Sequence, residues 1–246
     1  MAQNIYDTPG FFAGYSQLAR SVHGLDGAPE WPALQAMLPD LRGLRVLDLG
    51  CGFGWFCRWA SEHGAADVLG VDVSARMLAK AEAMTAAEAA IHYQRAGFET
   101  LTLAEAGFDF AYSSLALHYL DDLAGLLAKL HRALVPGGKL VFSVEHPIYM
   151  APTKPAWVID AAGRKTWPVD GYAIEGRRTT DWLADGVIKY HRTIGTWLRL
   201  LRLHGFTLLD LDEWAPSDAQ LAAMPALAEE RERPMLLLIA VQRGGA

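Results

Sequence analysis

Three glycines, Gly50, Gly52 and Gly54, follow the short apolar run at 45–49 and precede a segment with helical spacing. A strand that turns through glycines into a helix suits a nucleotide-like cofactor, because glycine permits a tight turn and a close approach of the backbone to the ligand. The N–H groups at the start of such a helix also attract negative charge. The spacing is G-x-G-x-G, and Trp55 stands where the dinucleotide fingerprint G-x-G-x-x-G requires glycine. The loop therefore predicts a cofactor site but disfavours a pyrophosphate.

Two acids flank this loop. Asp72 ends the next apolar run, 20 residues after Gly52, and a carboxylate there can accept hydrogen bonds from two ribose hydroxyls. Asp48 lies two residues before Gly50; it would repel a pyrophosphate but would favour a cofactor that carries an ammonium and a sulfonium. The alternative is a set of turn glycines beside an exposed Asp. The strand context and the two acids together favour the cofactor site.

The elements around the loop predict an α/β fold. Short β-rich runs alternate with helical segments, which implies a mostly parallel sheet with helices on both faces. We treat 1–246 as a single domain with four parts: an N-terminal helical segment at 1–44, a cofactor-binding core at 45–145, a cap insertion at 146–190, and a C-terminal helix with strands at 191–246. Within these parts the predicted strands are 45–49, 68–72, 91–94, 108–112, 139–144, 206–211 and 234–241, and the main predicted helices are 55–63, 74–89, 120–134 and 193–204.

Composition limits the classes of partner. The net charge of −6 argues against a dedicated nucleic-acid binder, which needs a basic surface. No run of about 18 apolar residues predicts a membrane span. The two cysteines, Cys51 and Cys57, support neither a disulfide framework nor a metal site. Residues 1–10 lack the features of a signal peptide, so the cytoplasm is the expected compartment. The oligomeric state stays open, with a homodimer as one option.

The segment at 46–54 resembles motif I of class I S-adenosylmethionine-dependent methyltransferases. The run at 71–74 with Met77 is similar to the family's ribose-binding segment, and 108–119 and 134–140 resemble motifs of its ubiquinone-methyltransferase-like (type 11) branch, which acts on small molecules. The resemblance covers roughly 45–145. It implies a Rossmann-like seven-stranded sheet with the last strand antiparallel, and an S-adenosylmethionine site at the carboxyl ends of the strands.

The resemblance also implies a set of cofactor contacts. Tyr15 and Arg20 fit a group of bacterial methyltransferases of unassigned substrate, where they would contact the methionine carboxylate. Gly97 departs from the family pattern, which often has an acid there for the adenine amino group; the N–H of Phe98 or the carboxylate of Glu99 is the candidate replacement. The complete predicted set is Tyr15, Arg20, Asp48, Gly50, Cys51, Gly52, Asp72, Val73, Met77, Gly97, Phe98 and Ser113.

Methyl transfer from a sulfonium is an in-line displacement, and positioning and water exclusion can supply much of its acceleration. A base is needed only when the acceptor must lose a proton. The candidates are His118, Glu145, His146 and His191, which lie at strand ends or beside the cap. A structural role is the alternative for each, and His146, which precedes Pro147, could simply anchor the cap.

The cap contributes four aromatic residues, which either line an acceptor pocket or form a small core of their own: Trp157, Trp167, Tyr172 and Trp182. The predicted function is methyl transfer from S-adenosylmethionine to a small molecule, with an oxygen or nitrogen acceptor favoured over carbon. One rival is a protein that binds S-adenosylmethionine without catalysis or for regulation. The other is an NAD-dependent oxidoreductase, against which Asp48 and Trp55 argue. The charged run at 229–233 is predicted to be a solvated turn or helix face.

Overall fold

The computed structural model describes residues 3–244, and seven strands form its main sheet. The strands of the described chain are β1 Arg45–Leu49, β2 Asp67–Asp72, β3 Ile91–Arg95, β4 Phe108–Ser114, β5 Leu134–Glu145, β6 Val158–Ile159, β7 Lys165–Thr166, β8 Gly176–Thr180, β9 Val187–His191, β10 Phe206–Trp214 and β11 Leu236–Arg243. The order in the main sheet is β10-β11-β5-β4-β1-β2-β3. Strands β1 to β5 pair in parallel, and β11 runs antiparallel to both β5 and β10. The predicted Rossmann-like sheet with an antiparallel last strand is confirmed.

Helices cover both faces of this sheet. Neighbouring residues of β1 point to opposite faces: Val46 joins the apolar cluster that contains Trp31 and Phe56, and Leu47 joins the cluster that contains Leu127 and Trp197. Because both faces are covered, the adjacent residues Val46 and Leu47 of β1 are both apolar instead of alternating with polar residues. The helices are α1 Pro9–Tyr15, α2 Ala19–Val22, α3 Trp31–Met37, α4 Trp55–Glu62, α5 Ala75–Ala83, α6 Leu123–Ala133, α7 Pro147–Met150, α8 Ile194–Leu203, α9 Asp218–Ala223 and α10 Glu229–Glu232, and single 3₁₀ turns lie at Ile5–Asp7, Gly24–Gly27, Leu117–Tyr119 and Pro225–Ala228.

Four predicted boundaries are wrong by three residues or more, among them the end of β10, which extends to Trp214 rather than 211. The side chain of Ser74 caps α5 as expected, accepting from the N–H of Met77 at 3.1 Å, but the helix ends at Ala83 rather than near 89. The alanine-rich continuation is exposed at 86–88, so it lacks the packed face that stabilises most helices in proteins. Helix α6 begins at Leu123 rather than 120. Strand β5 begins at Leu134 rather than 139, because Leu134 already pairs with Phe108 across an irregular register.

The segment at 146–190 contains α7 and two hairpins, β6–β7 and β8–β9. Its Tyr149, Trp157 and Trp167 rings surround the guanidinium of Arg233, with their centroids 4.6, 5.3 and 4.5 Å away. Arg233 also forms a 2.6 Å ion pair with Glu230, and both residues are buried. The prediction of a solvated run at 229–233 is therefore wrong for these two residues: they hold the hairpin β6–β7 against the C-terminal part of the chain.

The N-terminal segment lies across the carboxyl ends of the strands. The carboxylate of Asp7 accepts hydrogen bonds from the hydroxyl of Ser74 at 2.6 Å and the N–H of Arg76 at 3.1 Å. The side-chain amide of Gln3 donates to the carbonyl of Gly186 at 3.1 Å and accepts from the N–H of Ile188 at 3.0 Å. The segment is thus tied both to the start of α5 and to the hairpin β8–β9.

Candidate active site

A cavity of about 220 Å³ runs along the carboxyl ends of the five parallel strands. Its wall takes a residue from the end of each strand: Gly97 after β3, Asp72 at β2, Gly50 after β1, Leu115 after β4 and Glu145 at β5. One water molecule needs only about 10–15 Å³ of such space. The cavity therefore accommodates an organic ligand, and its position is the usual ligand site of an open α/β sheet.

The glycine loop shapes the middle of the wall. Gly50 and Gly52 have φ angles of 78° and 52°, a region that side chains other than glycine rarely adopt. A Cβ atom on Gly50 would lie 2.4 Å from the Cβ of Ala116, whereas one on Gly52 would have only the hydroxyl of Tyr15 nearby, at 3.9 Å. Gly50 is therefore required by packing against the loop after β4. Gly52 keeps open a space that a side chain would occupy.

Asp72 connects the end of β2 to this loop. Its Oδ2 accepts the N–H of Gly52 at 3.0 Å, and its Oδ1 accepts the N–H of Ser74 at 2.8 Å. Burial raises the pKa of the carboxyl group, while these backbone hydrogen bonds oppose the rise. Each oxygen keeps a second lone pair, so the carboxylate can accept two more hydrogen bonds from a ligand in the cavity.

Asp48 lies deeper in the wall, with 2% of its surface exposed. Its Oδ2 accepts a hydrogen bond from the Cys57 thiol at 3.2 Å. Burial raises the pKa of Asp48 to about 7, and the nearby charge of Asp72 acts in the same direction. A cation placed beside this carboxyl group would favour its ionised form. The two carboxyl groups of Asp48 and Asp72 thus fit a cofactor that carries positive charge.

Arg20 supplies a cation to the wall. Its guanidinium forms a 2.9 Å ion pair with Glu30, whose side chain is fully buried. Among residues 3–244, Arg20 is the one Lys or Arg that lines the cavity. Because only part of the Arg20 side chain is exposed, the ion pair with Glu30 fixes the direction in which the guanidinium can meet a ligand.

His118 lies at the opposite, β4–β5 end of the strand edge and is 2% exposed. Burial lowers its pKa well below the usual value, with the charges of Lys189 and Arg192 acting in the same direction. The ring is therefore neutral. Its Nδ1 accepts the N–H of Glu145 at 3.3 Å, so the proton of the neutral ring is assigned to Nε2. In this tautomer His118 is a hydrogen-bond donor and not a base.

Glu145 carries a buried ion pair at the same end. Its carboxylate accepts from the ammonium of Lys189, whose side chain is 3% exposed, against 16% for Glu145. The ammonium lies 5.2 Å from the ring centroid of Trp182 and 5.8 Å from that of Tyr119. Of residues 146–190, Trp182 is the one that lines the cavity. The hairpin β8–β9 therefore contributes Trp182 to the cavity wall and Lys189 to the ion pair with Glu145.

Comparisons with known proteins decide the family. Residues 47–142 match the methyltransferase domain family. An uncharacterised protein of Haemophilus influenzae is 31% identical over 98% of this chain and 97% of its own length. The crystal structure of an S-adenosylmethionine-dependent methyltransferase from Mesorhizobium loti is 59% identical with a TM-score of 0.86, covering 89% of this chain and all of that one. A putative methyltransferase of the same kind from Listeria monocytogenes is 39% identical with a TM-score of 0.81, covering 89% of this chain and 99% of that one.

The chain is an S-adenosylmethionine-dependent methyltransferase. It belongs to the class I, type 11 kind, and S-adenosylmethionine rather than NAD is its cofactor. The malonyl-[acyl-carrier protein] O-methyltransferase of Enterobacter lignolyticus is 40% identical to it, but the match spans 51% of this chain and 48% of that protein. This partial match supports the family and does not identify the acceptor.

Most predicted site residues of the methyltransferase lie on one wall. Their roles as ligand contacts remain predictions. The predicted residues that line the cavity are Tyr15, Arg20, Asp48, Gly50, Cys51, Gly52, Asp72, Val73, Met77, Gly97, Phe98, His118 and Glu145.

Three predicted site residues lie away from the wall. The ring of His146 caps α7 by accepting the N–H of Ile148 at 3.0 Å, and its Nε2 lies 2.8 Å from Glu213. The Nε2 of His191 lies 2.8 Å from the carbonyl of Tyr172, and burial lowers the pKa of both histidines. The hydroxyl of Ser113 donates to the carbonyl of Leu49 at 2.7 Å inside the sheet. Because each is buried against other elements, none of the three lines the cavity.

One of the four predicted aromatic residues of the cap lines the cavity, and the other three pack elsewhere. Trp157 and Trp167 surround Arg233 as described, and Tyr172 packs against His191 with ring centroids 5.8 Å apart. Only Trp182 of the four reaches the wall. Of the two alternatives that the sequence left open, packing rather than a pocket describes Trp157, Trp167 and Tyr172.

Several residues in or beside the wall had no clear sequence signal. Glu30 lies in an N-terminal segment without a recognisable motif, and only the fold places it behind Arg20. Tyr119 lies within the motif-like run at 108–119 and Lys189 lies in β9, but neither position reveals that the two side chains meet. Tyr6 also lines the cavity.

Across residues 3–244, no group of three or more His, Cys, Asp or Glu side chains is arranged to hold a metal ion. No helix in that part of the chain is long and apolar enough to cross a bilayer. Both cysteines are buried free thiols.

Proposed function

We propose that this methyltransferase transfers the methyl group of S-adenosylmethionine to an oxygen or nitrogen atom of a small molecule held at the Glu145 end of the cavity. The observation that carries the proposal is the extent of the cavity along the strand ends. Neighbouring strands are spaced by about 4.8 Å, so the wall from β3 to β5 spans roughly 19 Å. A cofactor held over β1, β2 and β3 leaves the ends of β4 and β5 for the acceptor.

The cofactor half has a suitable donor set. Asp72 would accept the ribose hydroxyls, Asp48 would face the positive charge of the amino-acid end, and Arg20 would bind its carboxylate. Val73, Met77, Gly97 and Phe98 would enclose the adenosine. S-adenosylmethionine supplies an electrophilic methyl group on a sulfonium. The open space at Gly52 and the raised pKa of Asp48 support this assignment.

The acceptor half is built to position a ligand. Glu145 offers a carboxylate, His118 a ring N–H, and Tyr119 and Trp182 offer aromatic surfaces. Holding the acceptor beside the methyl group and excluding water are the main contributions that a protein can make to this displacement. We assign to the N-terminal segment and to the cap at 146–190 the task of covering this end, since Gln3 and Trp182 come from these two parts.

The relatives do not decide the acceptor. The trans-aconitate 2-methyltransferase of Deinococcus radiodurans is 38% identical over 50% of this chain and 46% of that protein. Its named substrate therefore serves as a test compound here.

A labelling experiment tests the proposal. The protein is incubated with trideuteromethyl-labelled S-adenosylmethionine and an extract of bacterial cells, which is afterwards separated into small molecules, protein and nucleic acid. We expect the label on oxygen or nitrogen in the small-molecule fraction, and its loss in the Asp72→Ala variant. Label confined to protein or nucleic acid, label on carbon, or no enzyme-dependent label would contradict the proposal.

A further inference from the structure

The ion pair between Glu145 and Lys189 has its carboxylate on the cavity side. Glu145 lines the cavity, whereas Lys189 does not and is almost completely buried. The ammonium of Lys189 lies over the rings of Tyr119 and Trp182 on the protein side. The pair as a whole is neutral, but the group that it presents to an acceptor is the carboxylate.

No cation among the described residues of the wall is left to pair with an anionic acceptor. Arg20 is held by Glu30, and in the proposed function it binds the cofactor. The ring of His118 is neutral, and Lys189 already neutralises Glu145 from outside the wall. An acceptor that carries its own negative charge would therefore lose its hydration without gaining a cationic partner, and the charged group nearest to it would be the Glu145 carboxylate, which is unfavourable in a buried site.

The charge that moves in the reaction distinguishes two acceptor classes. When a neutral amine attacks, its lone pair forms the N–C bond, the C–S bond breaks with its electron pair remaining on sulfur, and the positive charge passes from sulfur to nitrogen. A carboxylate beside the nitrogen stabilises this developing charge. When a carboxylate or phenolate oxygen attacks, the negative charge on the acceptor is neutralised instead, and Glu145 would raise the energy of the bound acceptor.

The aromatic rings favour the same class. Tyr119 and Trp182 already lie near the ammonium of Lys189, and their negative π surfaces also stabilise the positive charge that develops on the attacking nitrogen. The ring N–H of His118 can orient a neutral oxygen or nitrogen elsewhere on the acceptor. We infer that the acceptor atom is the nitrogen of an amine, an inference that rests on the proposed function and on Glu145 facing the cavity with Lys189 behind it.

The test separates the extract by charge before the reaction. Anionic, neutral and cationic small molecules are incubated separately with the protein and trideuteromethyl-labelled S-adenosylmethionine, and trans-aconitate is added as a defined carboxylate probe. We expect label in the neutral or cationic fraction, on nitrogen and stable to mild base. Base-labile label in the anionic fraction or on trans-aconitate, which marks a methyl ester, or label on a hydroxyl oxygen, overturns the inference and leaves the proposed function intact. No label in any fraction would contradict the proposed function as well.

Variants test whether the Glu145 carboxylate is responsible for methyl transfer to an amine. We expect Glu145→Gln to slow labelling of the amine about 100-fold, the usual scale for loss of a preorganised electrostatic contact, while the affinity for S-adenosylhomocysteine changes less than twofold. Since Glu145→Gln leaves Lys189 without its partner, a second variant combines it with Lys189→Met and should show the same loss. Glu229→Gln, which removes an exposed partner of Lys165, should leave the rate unchanged. A rate close to that of the native protein in both Glu145 variants overturns the inference.

Discussion

Asp48 is expected to control the pH dependence of stability in the cofactor-free protein. Its carboxyl group is 2% exposed, and burial raises its pKa from the reference value of 3.8 to about 7. Between these two values the folded protein keeps a proton that the unfolded chain releases. The free energy of unfolding therefore falls as the pH rises from about 4 to 7, and the contribution is lost in full above pH 7.

The size of this effect follows from the shift. Each pKa unit corresponds to about 1.4 kcal/mol, so Asp48 would cost the folded state about 4 kcal/mol above pH 7. Asparagine has the same shape, carries no charge, and can still accept the hydrogen bond from Cys57. We expect Asp48→Asn to match the native protein near pH 4 and to exceed its free energy of unfolding by up to about 4 kcal/mol at pH 8.

Urea unfolding at pH 4, 5, 6, 7 and 8 measures this difference directly. Titrating groups that do not interact with Asp48 contribute equally to both proteins, so they cancel in the comparison. Asp185→Asn, at an exposed position in the cap, is the matched control and should leave the curve unchanged. Parallel curves for the native protein and Asp48→Asn would refute the argument from burial.

Three further predictions concern the loop and the cap. Asp72→Ala should weaken binding of S-adenosylhomocysteine by about 1.5–3 kcal/mol in calorimetry, because the ribose hydroxyls would lose a charged acceptor; unchanged affinity in a folded variant would remove Asp72 from the site. Gly52→Val should weaken binding more than Asp72→Ala, since a branched side chain would enter the open space at a positive φ, and equal losses in Gly52→Ala and Gly52→Val would show that backbone strain alone is responsible. Arg233→Met should lower the free energy of unfolding by about 3–5 kcal/mol, because Glu230 would stay buried without its partner; in urea unfolding the added change Glu230→Gln should recover part of this, and no recovery would contradict the ion-pair explanation.

The sheet and the cofactor half of the cavity could be predicted because their signals are local. The apolar run at 45–49, the glycines that follow it and Asp72 lie within one β-α-β unit, so their types and spacing determine where they meet. Asp48 and Gly52 were predicted for the same reason. Family resemblance added Tyr15 and Arg20, which the structure brings to the same wall.

The acceptor half was harder to predict because it depends on contacts between distant parts of the chain. The sequence alone is compatible with a pocket lined by Trp157 and Trp167. The structure instead places the guanidinium of Arg233, which lies far along the chain, against both rings. His146 and His191 lie near strand ends, but sequence position does not fix the direction of a side chain, and both point into packed regions. The pairing of Glu145 with Lys189 likewise becomes visible only when β9 is placed beside the end of β5.

A crystal structure with S-adenosylhomocysteine tests the central claim most directly, namely that the cofactor lies over β1 to β3 and the acceptor at the ends of β4 and β5. We predict that the ribose lies against Asp72 and that the sulfur faces Glu145, with an atom of Glu145 or Trp182 within about 8 Å of it, the span of a small acceptor plus one contact distance. A cofactor in the reverse direction, or a sulfur farther than this from both residues, would contradict the account.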